Sequence, residues 1–165
     1  MSTGDATGDL AATAVGLLIS RGLTIATAES LTGGLVAGAL TTVPGVSAVF
    51  RGGIVAYAAD LKHSLLGVDA VILDRYGTVH AQVALEMARG ARKQLGAMVA
   101  VATTGVAGPD PADGHPAGTV HIAVNTPDRE VHEALALHGD RARIRQGTVE
   151  CVLKLLLRTL MEDNH

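Results

Sequence analysis

The stretch Ala-Glu-Ser-Leu-Thr-Gly-Gly at residues 28–34 connects a strand-like segment, 24–28, to a helix pattern of small residues, 35–40. A serine on such a strand-to-helix turn, here Ser30, can expose its hydroxyl while the N-terminus of the helix faces whatever binds there. The two glycines let a ligand approach the backbone closely, because they carry no Cβ. Ser30 or Thr32 could equally cap the helix, so this stretch alone leaves a nucleophile and a cap as alternatives.

The composition describes a folded chain with a substantial core. Apolar residues make up 48% of the 165 residues and charged residues only 18%, which excludes a disordered protein and favours a single domain over 1–165. The apolar residues are mainly Ala, Val and Leu, which suits parallel strands covered by closely packed helices. With a net charge of −3 and 2% aromatic residues, we expect no nucleic-acid partner.

Cysteine usage and hydropathy indicate a reducing, non-membrane environment. The single cysteine, Cys151, cannot form an intramolecular disulfide. The first ten residues carry two acidic groups and no basic start, so they do not form a signal peptide, and no apolar run reaches transmembrane length. We therefore expect a cytoplasmic location and no membrane partner.

Alternating helix and strand patterns predict an α/β fold. The first helix follows Asp5 and ends before Gly22, and the last helix is capped by Asp140 and extends to about Leu160. The other predicted helices are 35–40, 60–66 and 81–95, and the predicted strands are 24–28, 50–57, 98–103, 119–125 and 131–137, the last two forming a hairpin. The Pro-, Asp- and Gly-rich segment 110–118 predicts a mobile loop.

Polar residues follow three of the predicted strands. Ser30 follows the first strand, Tyr57 ends the second, and Thr104 and Gly105 follow the third. Ligands of open α/β sheets bind outside the carboxyl ends of the strands, so we expect these hydroxyls and the glycine loop at Gly105 to share one site.

Lys62 lies on the short helix that follows the second strand, among several leucines. Partial burial there could lower its pKa enough for the neutral amine to take a proton from Ser30. The alternative is a surface lysine whose stem lies along the helix while its ammonium stays in water.

Arg141 and Arg145 lie four residues apart at the start of the last helix and so share a face. Paired arginines beside helix-end N–H groups can bind a phosphate or a carboxylate. The alternative is that Asp140 or Glu150 neutralises them at the surface.

The histidines lack the spacing of a metal site, although His121 and His132 could face each other across the hairpin. We therefore predict neither a metal ion nor another cofactor.

In the last helix, Leu155 and Cys151 widen the apolar stripe beyond one face, which favours a subunit contact and a homo-oligomer, with a dimer as the first expectation.

An ordered set of motifs resembles the CinA C-terminal domain family, which includes the stand-alone nicotinamide-nucleotide amidohydrolase PncC. The resemblance runs from about residue 8 to 160. Its motifs are Ala-Glu-Ser-Leu-Thr-Gly-Gly at 28–34, Val-Pro-Gly-Val-Ser at 43–47, Gly-Gly-Ile-Val-Ala-Tyr at 52–57, Lys62, Thr-Gly-Val-Ala-Gly-Pro at 104–109, Gly-Thr-Val at 118–120 and Gly-Asp-Arg with a second Arg at 139–145.

The resemblance implies a three-layer α/β/α sandwich with a mostly parallel, mixed sheet. It also implies deamidation of nicotinamide mononucleotide to nicotinic acid mononucleotide and ammonia, by a Ser/Lys mechanism without metal. Ser30 would then be the nucleophile and Lys62 its general base. Tyr57 and Thr104 would orient this pair or the substrate, and Arg145 would assist at the site.

The remaining requirements of amide hydrolysis can be assigned to nearby groups. Backbone N–H groups around Thr32, Gly33 and Gly34 could stabilise the oxyanion. Glu29 could balance the positive pyridinium ring of the substrate, or it could be a buried structural carboxylate bonded to backbone. The alternative to an enzyme is a nucleotide-binding or regulatory module in which Ser30 only binds phosphate.

The sequence also departs from the family pattern. Ala58-Ala59 replaces the frequent Ser-Asn after the tyrosine, and His115-Pro116 stands where a Lys-Pro is common. The nucleotide-processing domain that precedes this region in longer members is missing from the sequence, so we expect no pyrophosphatase activity.

Overall fold

A five-stranded mixed sheet organises the computed structural model, which describes residues 3–163. The strands are β1 Ile25–Glu29, β2 Phe50–Val55, β3 Val99–Gly105, β4 Thr119–Asn125 and β5 Glu130–Ala136, and their order in the sheet is β2-β1-β3-β4-β5. β1 pairs in parallel with both β2 and β3, whereas β4 is antiparallel to β3 and to β5. Four of these five strands therefore run in one direction, and β4 alone is reversed.

The helices connect these strands and cover both faces of the sheet. They are α1 Thr3–Arg21, α2 Leu35–Thr41, α3 Ala59–Leu66, α4 Ala70–Tyr76, α5 Ala81–Leu95 and α6 Arg141–Glu162, with a 3₁₀ turn at Val46–Ala48. No helix within residues 3–163 combines the length and the apolar character needed to cross a bilayer.

The two faces of the sheet differ in side-chain size, because successive residues of a strand point to opposite faces. One face is built from branched side chains and packs against α1, α2 and α6; its buried members include Ile25, Val99, Val101, Val120, Ile122 and Val124. The other face is built from alanines and packs against α5 and the end of α3; its members are Ala26, Ala28, Ala100, Ala102 and Ala123. The predicted three-layer α/β/α sandwich is confirmed.

The structure differs from the predicted elements at several points. The first helix already includes Thr3, so Asp5 lies inside its first turn. β2 ends at Val55, which leaves Tyr57 in the connection to α3. Helix α4 was not predicted. It has only seven residues, and its apolar side chains form one short run, of which Ile72 and Leu73 pack partly against the core, instead of a repeating helical period. Its cap is Asp69, whose Oδ1 accepts from the Val71 N–H at 2.8 Å.

The wide apolar stripe of α6 packs against other elements of the same chain. Leu155 is buried in the core that α6 forms with α1 and the branched face of the sheet, and Cys151 is partly buried against the same core. The stripe is wide because α6 contacts two layers. It therefore gives no support to a subunit contact, and the homo-oligomer stays a prediction.

Candidate active site

Ser30 lies directly after β1, in a tight turn that leads into α2. Its N–H donates to the Thr103 carbonyl of the neighbouring strand at 3.0 Å, and its own carbonyl accepts from the Gly33 N–H at 3.0 Å. Gly34 then caps α2 with φ +105°, a conformation that favours glycine. These contacts fix the backbone, so the Ser30 side chain is held at the carboxyl end of β1.

Lys62 extends from α3 to Ser30. Its Nζ lies 3.0 Å from Ser30 Oγ, 2.8 Å from the Ala56 carbonyl oxygen and 3.1 Å from the Tyr57 carbonyl oxygen. The lysine is only 1% exposed. The structure therefore shows a buried amine that is surrounded by three acceptors, and not a surface lysine lying along its helix.

Burial changes the protonation of Lys62. Loss of solvation lowers its pKa from 10.5 to about 8, although the negative charge of Asp113 opposes the shift. A neutral amine has two N–H donors and one lone pair. With the two carbonyl oxygens accepting those donors, the lone pair is left for the hydroxyl proton of Ser30. This geometry suits a general base.

Glu29 lies next to Ser30, but its carboxylate binds backbone. Oε1 accepts from the N–H groups of Gly34 at 3.2 Å and Val36 at 2.8 Å, and Oε2 accepts from Ala37 at 3.1 Å. The side chain is buried and does not line the pocket described below. Of the two alternatives for Glu29, the geometry supports the structural one: the carboxylate caps α2 and holds the Ser30 turn, and it is not placed to contact a substrate.

The threonine hydroxyls near Ser30 also bind within the protein. Thr32 Oγ1 lies 2.8 Å from Thr103 Oγ1, and Thr104 Oγ1 donates to the Thr78 carbonyl at 2.8 Å. All three of Thr32, Thr103 and Thr104 are buried. Thr104 therefore positions the connection that contains Thr78, and its hydroxyl is not bonded to Ser30 or Lys62.

A pocket of about 470 Å³ opens beside Ser30. Its walls are Ser30, Leu31, Tyr57, Thr78, residues 105–112 and Arg141. Tyr57 is 58% exposed, and its backbone carbonyl accepts from Lys62. The three predicted strand ends are thus brought together, as expected for ligands that bind outside the carboxyl ends of strands.

Arg141 stands in the pocket wall at the start of α6. Its Nη1 donates to the Gly108 carbonyl at 2.7 Å, and its Nη2 donates to the Tyr57 hydroxyl at 3.0 Å. Asp140 caps the helix instead of neutralising this arginine: its Oδ1 accepts from the Arg143 N–H at 2.8 Å. The exposed guanidinium of Arg141 therefore remains available to an anionic ligand.

Arg145 lies on the same helix face, but its guanidinium binds the backbone of the turn that follows Ser30. Its Nε donates to the Leu31 carbonyl at 2.9 Å and its Nη2 to the Thr32 carbonyl at 3.3 Å. Arg145 is not among the residues that line the pocket. The resemblance assigned Arg145 to the site, whereas the geometry gives the pocket position to Arg141 and makes Arg145 a clamp on the Ser30 turn.

The N–H groups expected to form an oxyanion site are partly used by the turn. Gly33 donates to Ser30 and Gly34 to Glu29, so neither is free. Among the described residues, the N–H groups of Leu31, Ala107 and Gly108 belong to pocket residues and have no protein partner. The backbone donors of Leu31, Ala107 and Gly108 are therefore better placed to bind an anionic oxygen than those of Gly33 and Gly34.

Gly105 lies where β3 enters that loop. A Cβ at this position would meet the Thr119 carbonyl oxygen at 2.6 Å and the Val120 Cα at 2.8 Å. The glycine thus permits close pairing with β4 and brings the residues that follow it into the pocket wall.

The loop predicted to be mobile is held at several points. The backbones of Ala112 and His115 pair with each other, the Asp113 carboxylate accepts from Thr78, and the Gly118 N–H donates to the Val106 carbonyl at 2.8 Å. Asp113 and Thr78 were missed by the sequence analysis, because neither belongs to a motif and their contact joins positions 35 residues apart.

The histidine pair predicted across the hairpin is present. His121 Nδ1 lies 2.9 Å from His132 Nε2, and the two rings stack. Within residues 3–163, no group of three or more His, Cys, Asp or Glu residues is arranged to hold a metal ion.

The chain matches known proteins along most of its length. It is 50% identical over 157 residues to a CinA-like protein of Frankia casuarinae. The matched region covers 95% of this chain and 36% of that protein. The chain spans about a third (34–36%) of the length of this and the next two curated relatives that it matches.

Two solved structures share the whole architecture. A competence/damage inducible protein, CihA, from Agrobacterium tumefaciens superposes with a TM-score of 0.89 at 39% identity, covering 93% of this chain and 94% of that chain. A CinA superfamily protein from Escherichia coli superposes with a TM-score of 0.92 at 32% identity, covering 96% of this chain and 93% of that chain. A family model, the CinA C-terminal domain, matches residues 7–160. The sequence and the fold thus agree, and the chain belongs to the CinA C-terminal domain family.

Proposed function

We propose that this chain is an amidohydrolase that deamidates nicotinamide mononucleotide to nicotinic acid mononucleotide and ammonia. The observation that carries the proposal is the 3.0 Å contact between Lys62 Nζ and Ser30 Oγ in a buried setting that lowers the pKa of the lysine to about 8. A serine paired with a partly neutral amine is a nucleophile with its own base. A module that only binds nucleotide has no need of this arrangement.

The first half of the reaction forms an ester on Ser30. Oγ attacks the carboxamide carbon while Lys62 Nζ takes the hydroxyl proton, and the new C–O bond gives a tetrahedral intermediate with negative charge on its oxygen. The Lys62 ammonium then gives a proton to the amide nitrogen, the C–N bond breaks and ammonia leaves. One lysine thus serves as base and then as acid, which suits a pKa near neutral pH.

The second half releases the product. A water molecule attacks the ester on Ser30, Lys62 takes a proton from that water, and the proton returns to Ser30 Oγ as the C–O bond to the serine breaks. The nicotinic acid product leaves, and both side chains regain their initial states. The oxyanion in each half is assigned to the N–H groups of Leu31, Ala107 and Gly108, which belong to residues of the same pocket wall.

The pocket suits a substrate that has a flat ring and an anionic end. The exposed Tyr57 ring offers a stacking surface beside Ser30, and Arg141 offers a guanidinium that can bind a phosphate. The volume of about 470 Å³ falls within the range of small-molecule sites.

The test is ammonia release from nicotinamide mononucleotide by the purified protein. The wild type should release ammonia, and Ser30→Ala should remove this activity while its melting temperature changes little. Ser20→Ala is the matched control, because Ser20 is exposed on α1 and its hydroxyl donates to the Leu17 carbonyl. Binding of the nucleotide without turnover by the wild type would instead support a nucleotide-binding module.

A further inference from the structure

The Arg141 guanidinium is held in the pocket wall by two acceptors from different segments of the chain. Its Nη2 donates to the Tyr57 hydroxyl at 3.0 Å, and its Nη1 donates to the Gly108 carbonyl at 2.7 Å. Tyr57 belongs to the connection between β2 and α3, whereas Gly108 belongs to the loop that follows β3. The guanidinium therefore joins two walls of the pocket that contains Ser30.

The charge of Arg141 is not neutralised by the protein. None of the ion pairs within residues 3–163 involves Arg141, and both of its acceptors are uncharged. Of the five N–H donors of a guanidinium, two are used in these bonds and three remain for an anion. The side chain is thus positioned and still able to bind.

The Tyr57 hydroxyl contacts Arg141 and not the Ser30–Lys62 pair. The family resemblance assigned this tyrosine to the pair or to the substrate. In the described part of the chain, the hydroxyl bonds to Arg141, whereas Lys62 donates to the Tyr57 backbone carbonyl at 3.1 Å. Tyr57→Phe therefore removes the contact with Arg141 and keeps the acceptor of Lys62.

Fixing a long side chain before a ligand arrives increases its affinity for that ligand. A free arginine side chain loses rotamer freedom when it binds, and this loss opposes binding. Arg141 is exposed on α6, so packing restrains it little. The two hydrogen bonds supply the restraint, and the one from the Tyr57 hydroxyl can be removed by substitution.

We propose that the Tyr57 hydroxyl is a positioning group: it holds the Arg141 guanidinium ready for the anionic end of the substrate. The site thereby favours amides that carry a phosphate over those that lack one. The inference rests on the proposed function. It adds the origin of a selectivity, and it assigns no part in the chemical step to the hydroxyl.

The first test is a double-mutant cycle in binding, which does not depend on turnover. The probe is nicotinic acid mononucleotide, followed by NMR titration, and the variants are Tyr57→Phe, Arg141→Ala and both together. Tyr57→Phe should weaken binding about three- to tenfold, the order expected for one hydrogen bond. In the Arg141→Ala protein the same change should weaken binding less than about twofold, because no guanidinium is left to hold.

The matched control is Tyr76→Phe. Tyr76 is the only other tyrosine of the chain, and it does not line the pocket. This variant should bind the nucleotide as the wild type does. Equal weakening by Tyr57→Phe with and without Arg141 would overturn the proposal, because the hydroxyl would then act independently of the arginine.

Turnover tests the selectivity. Tyr57→Phe should raise KM for nicotinamide mononucleotide by a similar factor, with a smaller effect on kcat. It should lower kcat/KM for nicotinamide riboside, which lacks the phosphate, by less. An equal loss on both substrates would overturn the proposal and leave the amidase activity in place. A wild type that releases no ammonia but shows the expected coupling in binding would remove the proposed function and keep the Tyr57–Arg141 link.

Discussion

Lys62 Nζ lies 3.0 Å from Ser30 Oγ, although 32 residues separate the two positions in the chain. The pairing of β1 with β2 brings them together, because Glu29 stands opposite Val55 in the parallel register. Ser30 follows the first strand, and the connection after the second leads through Ala56 and Tyr57 into the helix that carries Lys62. The register of β1 against β2 therefore determines that Ser30 and Lys62 meet.

The pH dependence of activity should report Lys62. Because burial lowers its pKa to about 8, kcat/KM should rise with pH and level off above about 8 as the neutral amine forms. Lys62→Arg should lose activity at every pH, because arginine stays protonated. Lys93→Arg is the control, since Lys93 is exposed on α5. An active Lys62→Arg enzyme would show that this position supplies charge and not proton transfer.

Replacement of Arg141 and replacement of Arg145 should have different effects on the kinetic constants and on stability. Arg141→Ala should raise KM at least tenfold, a loss of about 1.4 kcal/mol, because Arg141 lines the pocket. Arg145→Ala should instead lower the melting temperature and reduce kcat, because it frees the Leu31 and Thr32 carbonyls that hold the Ser30 turn. This ranking reverses the one that the family resemblance suggests. Steady-state kinetics and thermal melts on both variants decide it, and a larger KM effect at Arg145 would restore the original assignment.

Glu29→Gln should destabilise the protein. The amide nitrogen cannot accept a hydrogen bond, so one or more of the N–H groups of Gly34, Val36 and Ala37 loses its partner, and the helix N-terminus loses a negative charge. We expect a loss of about 1–3 kcal/mol in the free energy of unfolding, measured by denaturant titration. Glu86→Gln is the control, because its carboxylate makes one exposed contact, with the Asp69 N–H. Equal stability of the two variants would contradict the capping role.

The histidine pair should make the fold sensitive to acid. Burial, and then the charge of His132, lowers the pKa of His121 to about 4, below its unfolded value of 6.5. Between these values the unfolded chain binds the proton and the folded chain does not, so stability falls as pH drops from 6.5 toward 4. His121→Gln should reduce this loss by about 1–2 kcal/mol after allowance for solvent screening. His138→Gln, at an exposed position, should leave it unchanged; melts at pH 7 and pH 5 test both.

The sequence patterns alone were enough to predict an α/β fold and most of the strands, and the family resemblance added the three-layer arrangement. Alternating helix and strand patterns are local properties, and the Ala-, Val- and Leu-rich composition already favours helices packed on a sheet. The patterns did not predict α4, because a seven-residue helix with one short apolar run does not show a repeating helical period. The patterns also predicted a mobile loop at 110–118, since the hydrogen bonds that hold Asp113 come from Thr78, 35 residues away in the chain.

For the site, the sequence supplied the candidates and the tertiary structure assigned their contacts. Ser30 and Tyr57 could be predicted from strand ends, because the carboxyl ends of neighbouring strands share one edge. Lys62 and Arg141 were candidates because of their positions on helices and in the family's motifs. Which arginine faces the pocket could not be chosen, since both lie on one helix face and only packing against 31–32 separates them. The lowered pKa of Lys62 was likewise undetermined until the fold showed it, because desolvation depends on everything that surrounds a side chain and not on its neighbours in the chain.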